Sequence, residues 1–262
     1  MSHDQLYHIG FGPSDLPSPP PAFAFLSGDP ERAERVAVGH LDQPRLLSDH
    51  RGLVSWLGFL DGHPVLSSTS GMGGPSLTIV VNELAQVGVR AIVRIGTTGS
   101  IQPHVPAGAV VIARAALCRQ GAAADIAPVE YPAAADPFFT VDLARAAADA
   151  GITAHVGVTA SVDTFYEGQE RSASSANPHL VRAVQGVTEE YRNLGILNYE
   201  MEAGTLFKQC SVYGLVAGCV LAVVAQRTEG EQVRLDAKGR AEADAITVAV
   251  AGARRWLTGQ LR

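Results

Sequence analysis

Cysteine is scarce: Cys118, Cys210 and Cys219 stand alone in a chain of 262 residues, and none belongs to a Cys-x-x-Cys pair. A sparse, odd set in apolar surroundings reads as buried thiols in a reducing compartment rather than as a disulfide framework. The eight histidines show no His-Glu-x-x-His spacing or other ligand cluster, so no catalytic metal is expected. Basic runs are missing too. With 20 Lys and Arg against 26 Asp and Glu the formal net charge is −6, so no nucleic-acid partner is expected. No apolar stretch reaches membrane-spanning length without a charge or a break, and Met1 to Gly10 lacks the basic-then-apolar order of a signal peptide. The expectation is a soluble cytoplasmic protein with no membrane contact and a small-molecule partner.

What is present is an ordinary globular composition, 47% hydrophobic and 18% charged, which excludes disorder for the whole chain. Residues 1–21 end in a proline run and read as an N-terminal arm laid over something else. A buried strand over 22–26 leads into Gly28-Asp29-Pro30, a helix start with proline at the first helical position. Asp61-Gly62, between extended stretches 53–60 and 64–69, signals a hairpin. Residues 70–76 are a glycine-rich turn feeding a helix to about Val87, with spacing unlike a dinucleotide fingerprint. Further strands are expected at 91–95, 109–117, 155–161 and 214–225. Helices are expected at 138–150, up to about Asn193, at 203–213 and at 236–257. Residues 119–137 read as an Ala/Pro-rich loop and 172–178 as a mobile one. Alternating strands and helices, with no internal repeat or dividing linker, predict one α/β domain over 1–262, a mixed β-sheet surrounded by helices.

Polar clusters stand where strands end. In Ala91 to Ser100 a β-branched run carrying Arg94 breaks into Gly-Thr-Thr-Gly-Ser, as a buried strand does when it meets a polar pocket. A buried Arg94 is either in a structural ion pair or aimed at an anion. Gly28 with Arg32, Gln169 with Arg171, and Glu200 with Glu202 are the other clusters. Each has a plain alternative: Arg32 as a solvated helix residue, Gln169 and Arg171 as loop polars, the glutamates as helix-start acids.

Seven strings occur in one order: His8-Ile9-Gly10, Gly28-Asp29-Pro30, His50-Arg51, Gly71 to Ser76, Arg94 to Gly99, Gly168-Gln169-Glu170-Arg171 and Asn198 to Glu202. In that order they resemble the hexameric nucleoside phosphorylase family over nearly the whole chain, on its pyrimidine-cleaving side. The resemblance implies that family's fold, reversible phosphorolysis of uridine with deoxyuridine and thymidine as further candidates, and no organic cofactor. It assigns phosphate to Gly28, Arg32, Arg94, Thr97 and an Arg51 donated by the neighbouring subunit. Ribose falls to Thr97, Glu200, Met201, Glu202 and a neighbour's His8, and the base to Phe165, Gln169 and Arg171. Arg94, Gln169, Arg171 and Glu202 are the catalytic set. The implied assembly is a homo-hexamer, a trimer of dimers.

These roles agree with the chemistry of the residue types. Guanidinium forks match a tetrahedral oxyanion, and a carboxylate accepts two adjacent hydroxyls while favouring a cationic sugar. A Gln amide pairs with the donor–acceptor edge of uracil. The late strand ends Val223-Val224-Ala225-Gln226-Arg227-Thr228 without the Asp that purine members use, which favours uridine over inosine. Gly52 stands where well-known members carry a Glu that helps bind a monovalent cation between subunits, so that cation is not expected here. The rival readings are a purine or thymidine phosphorylase, a hydrolytic nucleosidase of the same fold, and a nucleoside-binding protein that has lost turnover.

Overall fold

The computed structural model describes residues 4–228, 230 and 235–259. The first strand, β1 (Phe23–Ser27), is buried along its whole length, as a strand covered on both faces must be. Helix α1 (Pro30–His40) follows, capped by the Asp29 side chain accepting from Glu31 N at 3.0 Å, with proline in the first turn. Strands β2 (Asp42–His50), β3 (Leu53–Leu60) and β4 (His63–Thr69) form an antiparallel meander. Its two-residue turns, Arg51-Gly52 (φ 57° and 75°) and Asp61-Gly62 (φ 49° and 82°), hold both central residues at positive φ, as tight hairpins require. Gly52 thus has a local reason to be glycine.

The chain continues through α2 (Gly74–Gln86), β5 (Ala91–Ser100), β6 (Val110–Arg119), α3 (Gly121–Ile126) and α4 (Pro137–Asp149). It ends with β7 (Ala154–Val162), α5 (Val187–Asn193), β8 (Asn198–Glu200), α6 (Ala203–Tyr213), β9 (Val216–Gln226) and α7 (Leu235–Thr258). The strands form one nine-stranded mixed sheet in the order β2-β3-β4-β1-β5-β8-β7-β6-β9, and β9 also pairs with β5. That last pairing closes five strands on themselves, leaving β4 and β1 as a parallel wing and β2 at the open edge.

Side chains alternate across the sheet and build two cores. On one face Ile92 and Leu221 pack with Leu77, Val80 and Leu84 of α2 and with Leu206 and Phe207 of α6. On the other, Val93 and Val220 pack with Val36 of α1, Leu143 of α4 and Val248 of α7. Arg94 lies two residues beyond Ile92, so the same alternation turns it toward the α2 and α6 face.

Five expectations change. Strand β5 does not break at Gly96 but runs to Ser100, with a register shift past Thr98 that leaves Val224 of β9 as the extra residue, so its Gly-Thr-Thr-Gly-Ser run is strand rather than loop. The presumed loop 119–137 contains α3, whose alanine run is a strong helix former and whose start is held by Gly121 N donating to Asp163 at 2.8 Å. The helix before Asn193 is a single 3-10 turn at Arg182–Val184 followed by α5. The N-terminal arm lies over its own chain, with Ile9 and Phe11 wholly buried. Cys210 and Cys219 are buried as expected, but Cys118 is only partly so.

Candidate active site

Arg94 projects from β5 into a pocket of carboxylates and is 4% exposed. Its Nη2 donates to Glu202 Oε2, and its Nε lies 3.4 Å from Glu200 Oε2. Burial works against the guanidinium charge, yet Glu202 and then Glu200 raise its pKa above the usual arginine value. Glu200 is pushed up by burial first, against the pull of Arg94, with the neighbouring Glu202 charge pushing the same way as burial. Of the two open readings of Arg94, the structure shows the ion pair, and its counter-charge is supplied by the chain itself. Its Nη1 is nevertheless buried with no protein hydrogen-bond partner among the described residues, a donor still available to an anion.

The two glutamates occupy the β8-to-α6 junction. Glu200 Oε2 accepts from Glu202 N at 2.9 Å and Ala203 N at 2.8 Å, so it caps α6, and Oε1 accepts from Ser161 Oγ. The helix-start reading of Glu200 therefore holds alongside its contact with Arg94. Glu202 Oε1 accepts from Gly73 N at 2.6 Å, at the start of α2. Met201 lies between them, half-buried, with its carbonyl accepting from Gln120 Nε2 at 2.5 Å. Gln120 also braces α6 through Thr205 N at 3.0 Å.

Farther along β5, Gln169 and Arg171 are both buried, and Arg171 Nε donates to Gln169 Oε1 at 3.1 Å. The Arg171 guanidinium stacks 4.3 Å from the centre of the Phe165 ring, which is 45% exposed. Gly99 makes this possible: a Cβ there would stand 3.2 Å from Arg171 Nη2 and 3.1 Å from Arg227 Cδ. Arg227 in turn lies over Tyr199, whose hydroxyl burial raises to about 12. Between Gln169 and Arg171, Glu170 turns away to accept from Gly186 N and Thr188 N (2.8 Å), capping α5.

Arg32 is buried rather than solvated. Its Nη2 donates to Glu242 of α7 at 2.7 Å and its Nη1 reaches Ile95 O at 3.5 Å. Burial alone would raise the Glu242 pKa, but hydrogen bonds from Arg35 and Arg32 hold it below the ordinary value. Gly28 sits where the ends of β1 and β4 meet, with Gly71 O only 3.3 Å from where its Cβ would be. Thr97 is half-buried on β5, opposite Ala222 of β9.

His8 and Arg51 belong to a different surface. His8 Nδ1 is 2.7 Å from Glu83 of α2, while Arg51 lies over the Tyr7 ring at 5.4 Å and donates to its hydroxyl at 3.4 Å. The structure thus brings Arg94, Glu200 and Glu202 together, Gln169, Arg171 and Phe165 together, and His8 near Arg51. Sequence reasoning missed the braces: Glu83, Gln120, Ser161, Glu170, Arg227 and Glu242. Only Glu170, inside the Gly-Gln-Glu-Arg string, carried a signal that could have exposed it. Among the described residues no three His, Cys, Asp or Glu side chains are grouped to hold a metal, and no helix is long and apolar enough to cross a membrane.

The phosphorylase superfamily model matches residues 22–253, and the chain belongs to that family. Within it, the chain is similar to the uridine phosphorylase of Escherichia coli (strain K12), with 43% identity over 257 residues, 98% of this chain and 100% of that one. It is 38% identical over 225 residues to the uridine phosphorylase of Thermococcus kodakarensis, covering 86% of this chain and 79% of that one. A guanosine phosphorylase of Halorubrum lacusprofundi is 30% identical over 213 residues, 81% of this chain and 82% of that one.

Proposed function

We propose that this chain is a pentosyltransferase that cleaves uridine with inorganic phosphate, reversibly, to uracil and ribose 1-phosphate. The observation that carries the reading is the run of buried groups along β5 and β8, from the Arg94–Glu202 pair to Gln169 and Arg171 across Gly99. It offers in sequence an anion donor, a hydroxyl acceptor and a base reader.

Phosphate enters between Gly28, Arg32, Arg94 and Thr97, taking the unpaired Nη1 of Arg94, with Arg51 added by a neighbouring subunit. Glu202, with Glu200 behind it and Met201 as an apolar floor, accepts the ribose hydroxyls. His8 of a neighbouring subunit meets the 5′-hydroxyl. As the glycosidic bond lengthens, positive charge grows on the sugar beside Glu202. Negative charge grows on the uracil oxygens, where Gln169 and Arg171 donate while Phe165 stacks on the ring. A phosphate oxygen then bonds to C1′, and uracil takes up a proton after leaving. The reaction uses no organic cofactor, and phosphate is a substrate.

His8 and Arg51 contact Glu83 and Tyr7 rather than the Arg94 pocket, which supports a site completed by a second subunit; the assembly proposed with it is a trimer of dimers. The reading places the enzyme in the cytoplasm. It is tested by measuring free base released from uridine and from inosine, each with and without phosphate. Phosphate-dependent uracil with little hypoxanthine is expected. Base release without phosphate, or efficient inosine cleavage, would overturn it.

A further inference from the structure

Glu83 is a buried carboxylate that the proposed reaction does not use, and its contacts are unusually concentrated on one short segment. It is 8% exposed on α2, and its oxygens accept from His8 N at 3.1 Å and Ile9 N at 2.8 Å. The same carboxylate meets His8 Nδ1 at 2.7 Å. A carboxylate is an acceptor only, so Nδ1 must carry the proton in that contact. The ring is then held in one tautomer, with Nε2 left as the acceptor for a hydroxyl. His50 Nδ1, 3.2 Å from the His8 carbonyl, holds the same backbone from the other side. The His8 side chain remains about one-third exposed.

Helix α2 extends this contact to the chemistry. Its N-terminal Gly73 N donates to Glu202, and Glu83 lies ten residues on, about 15 Å along the helix. One rigid element therefore holds the hydroxyl acceptor of its own subunit's site and the arm that carries His8.

We infer that Glu83 is a positioning residue that fixes the orientation and tautomer of His8 for the 5′-hydroxyl of a nucleoside bound by the neighbouring subunit. This rests on the proposed role of His8. Glu83 touches no substrate and acts only through the imidazole, so its effect is confined to nucleosides that carry a 5′-hydroxyl. A merely structural role for Glu83 would lower turnover of every nucleoside alike.

The test compares kcat/KM for uridine and 5′-deoxyuridine in the full-length protein, in wild type, Glu83→Gln, His8→Ala and the double variant. The amide of Glu83→Gln keeps an acceptor for the arm backbone but no longer dictates a proton on Nδ1. The preference for uridine is expected to fall roughly tenfold in each single variant, the scale of one hydrogen bond at a polar site, and no further in the double variant. A preference that falls in His8→Ala but not in Glu83→Gln overturns the inference and leaves the role of His8 standing. A preference unchanged in His8→Ala removes that role and the inference with it. Losses that multiply in the double variant show Glu83 acting independently of His8, which also overturns it. If Glu83→Gln fails to fold, Glu83→Asp, which keeps the charge but withdraws it from Nδ1, is read by the same ratio with the same outcomes.

Discussion

At the scale of single residues the site is a set of buried charges, each held by a partner distant in sequence. Arg94 is the clearest case. Removing it leaves Glu200 and Glu202 facing each other below the surface with no cation between them. Arg94→Ala should therefore cost about 3–5 kcal/mol of stability in a denaturant titration, as breaking a buried pair does. Turnover should fall by about a hundredfold or more, the scale of losing one preorganised group at a developing charge. Gly99 tests the other end of the pocket. A methyl group there makes Arg171 and Arg227 give way by a few tenths of an ångström, so Gly99→Ala should raise KM for the nucleoside severalfold and leave KM for phosphate unchanged. Equal shifts in both constants would show that the strand itself had moved.

At the scale of elements, the link between α1 and α7 carries a pH dependence. Glu242 is held below its ordinary carboxylate pKa by Arg35 and Arg32 despite its burial. A depressed folded pKa contributes stability that is complete above the unfolded value, near 4.5, and is lost as pH falls through the folded value. Glu242→Gln should cost about 3 kcal/mol at neutral pH and flatten the loss of stability below about pH 4.5. An unchanged acid slope would place that loss elsewhere. The elements differ in how plainly the sequence announced them. Turn Asp61-Gly62, the Asp29-Pro30 helix start and the apolar strands were legible because local chemistry dictates them. Strand β2 was not, since Asp42 to Leu46 is exposed and Pro44 is tolerated only because the strand lies at the sheet edge. Helix α3 was hidden by the prolines that follow it. In the site, Arg94 announced itself as a charge in a strand, but Glu83 and Glu242 lie 75 and 210 residues from the groups they hold, and no local pattern links them.

For the whole molecule, the proposed reaction needs one chain's pocket to be completed by another's His8 and Arg51. Mixing Arg51→Ala with Arg94→Ala subunits, each inactive alone, should restore roughly a quarter of wild-type activity, because half of randomly formed dimers contain one intact site of two. Activity no greater than the sum of the parents would place Arg51 in its own subunit's site. In the proposed reaction phosphate, rather than water, attacks the sugar. The most direct measurement is the ratio of ribose 1-phosphate to uracil formed from uridine in phosphate buffer. A ratio of one to one is expected, and uracil accompanied by free ribose would rule phosphorolysis out.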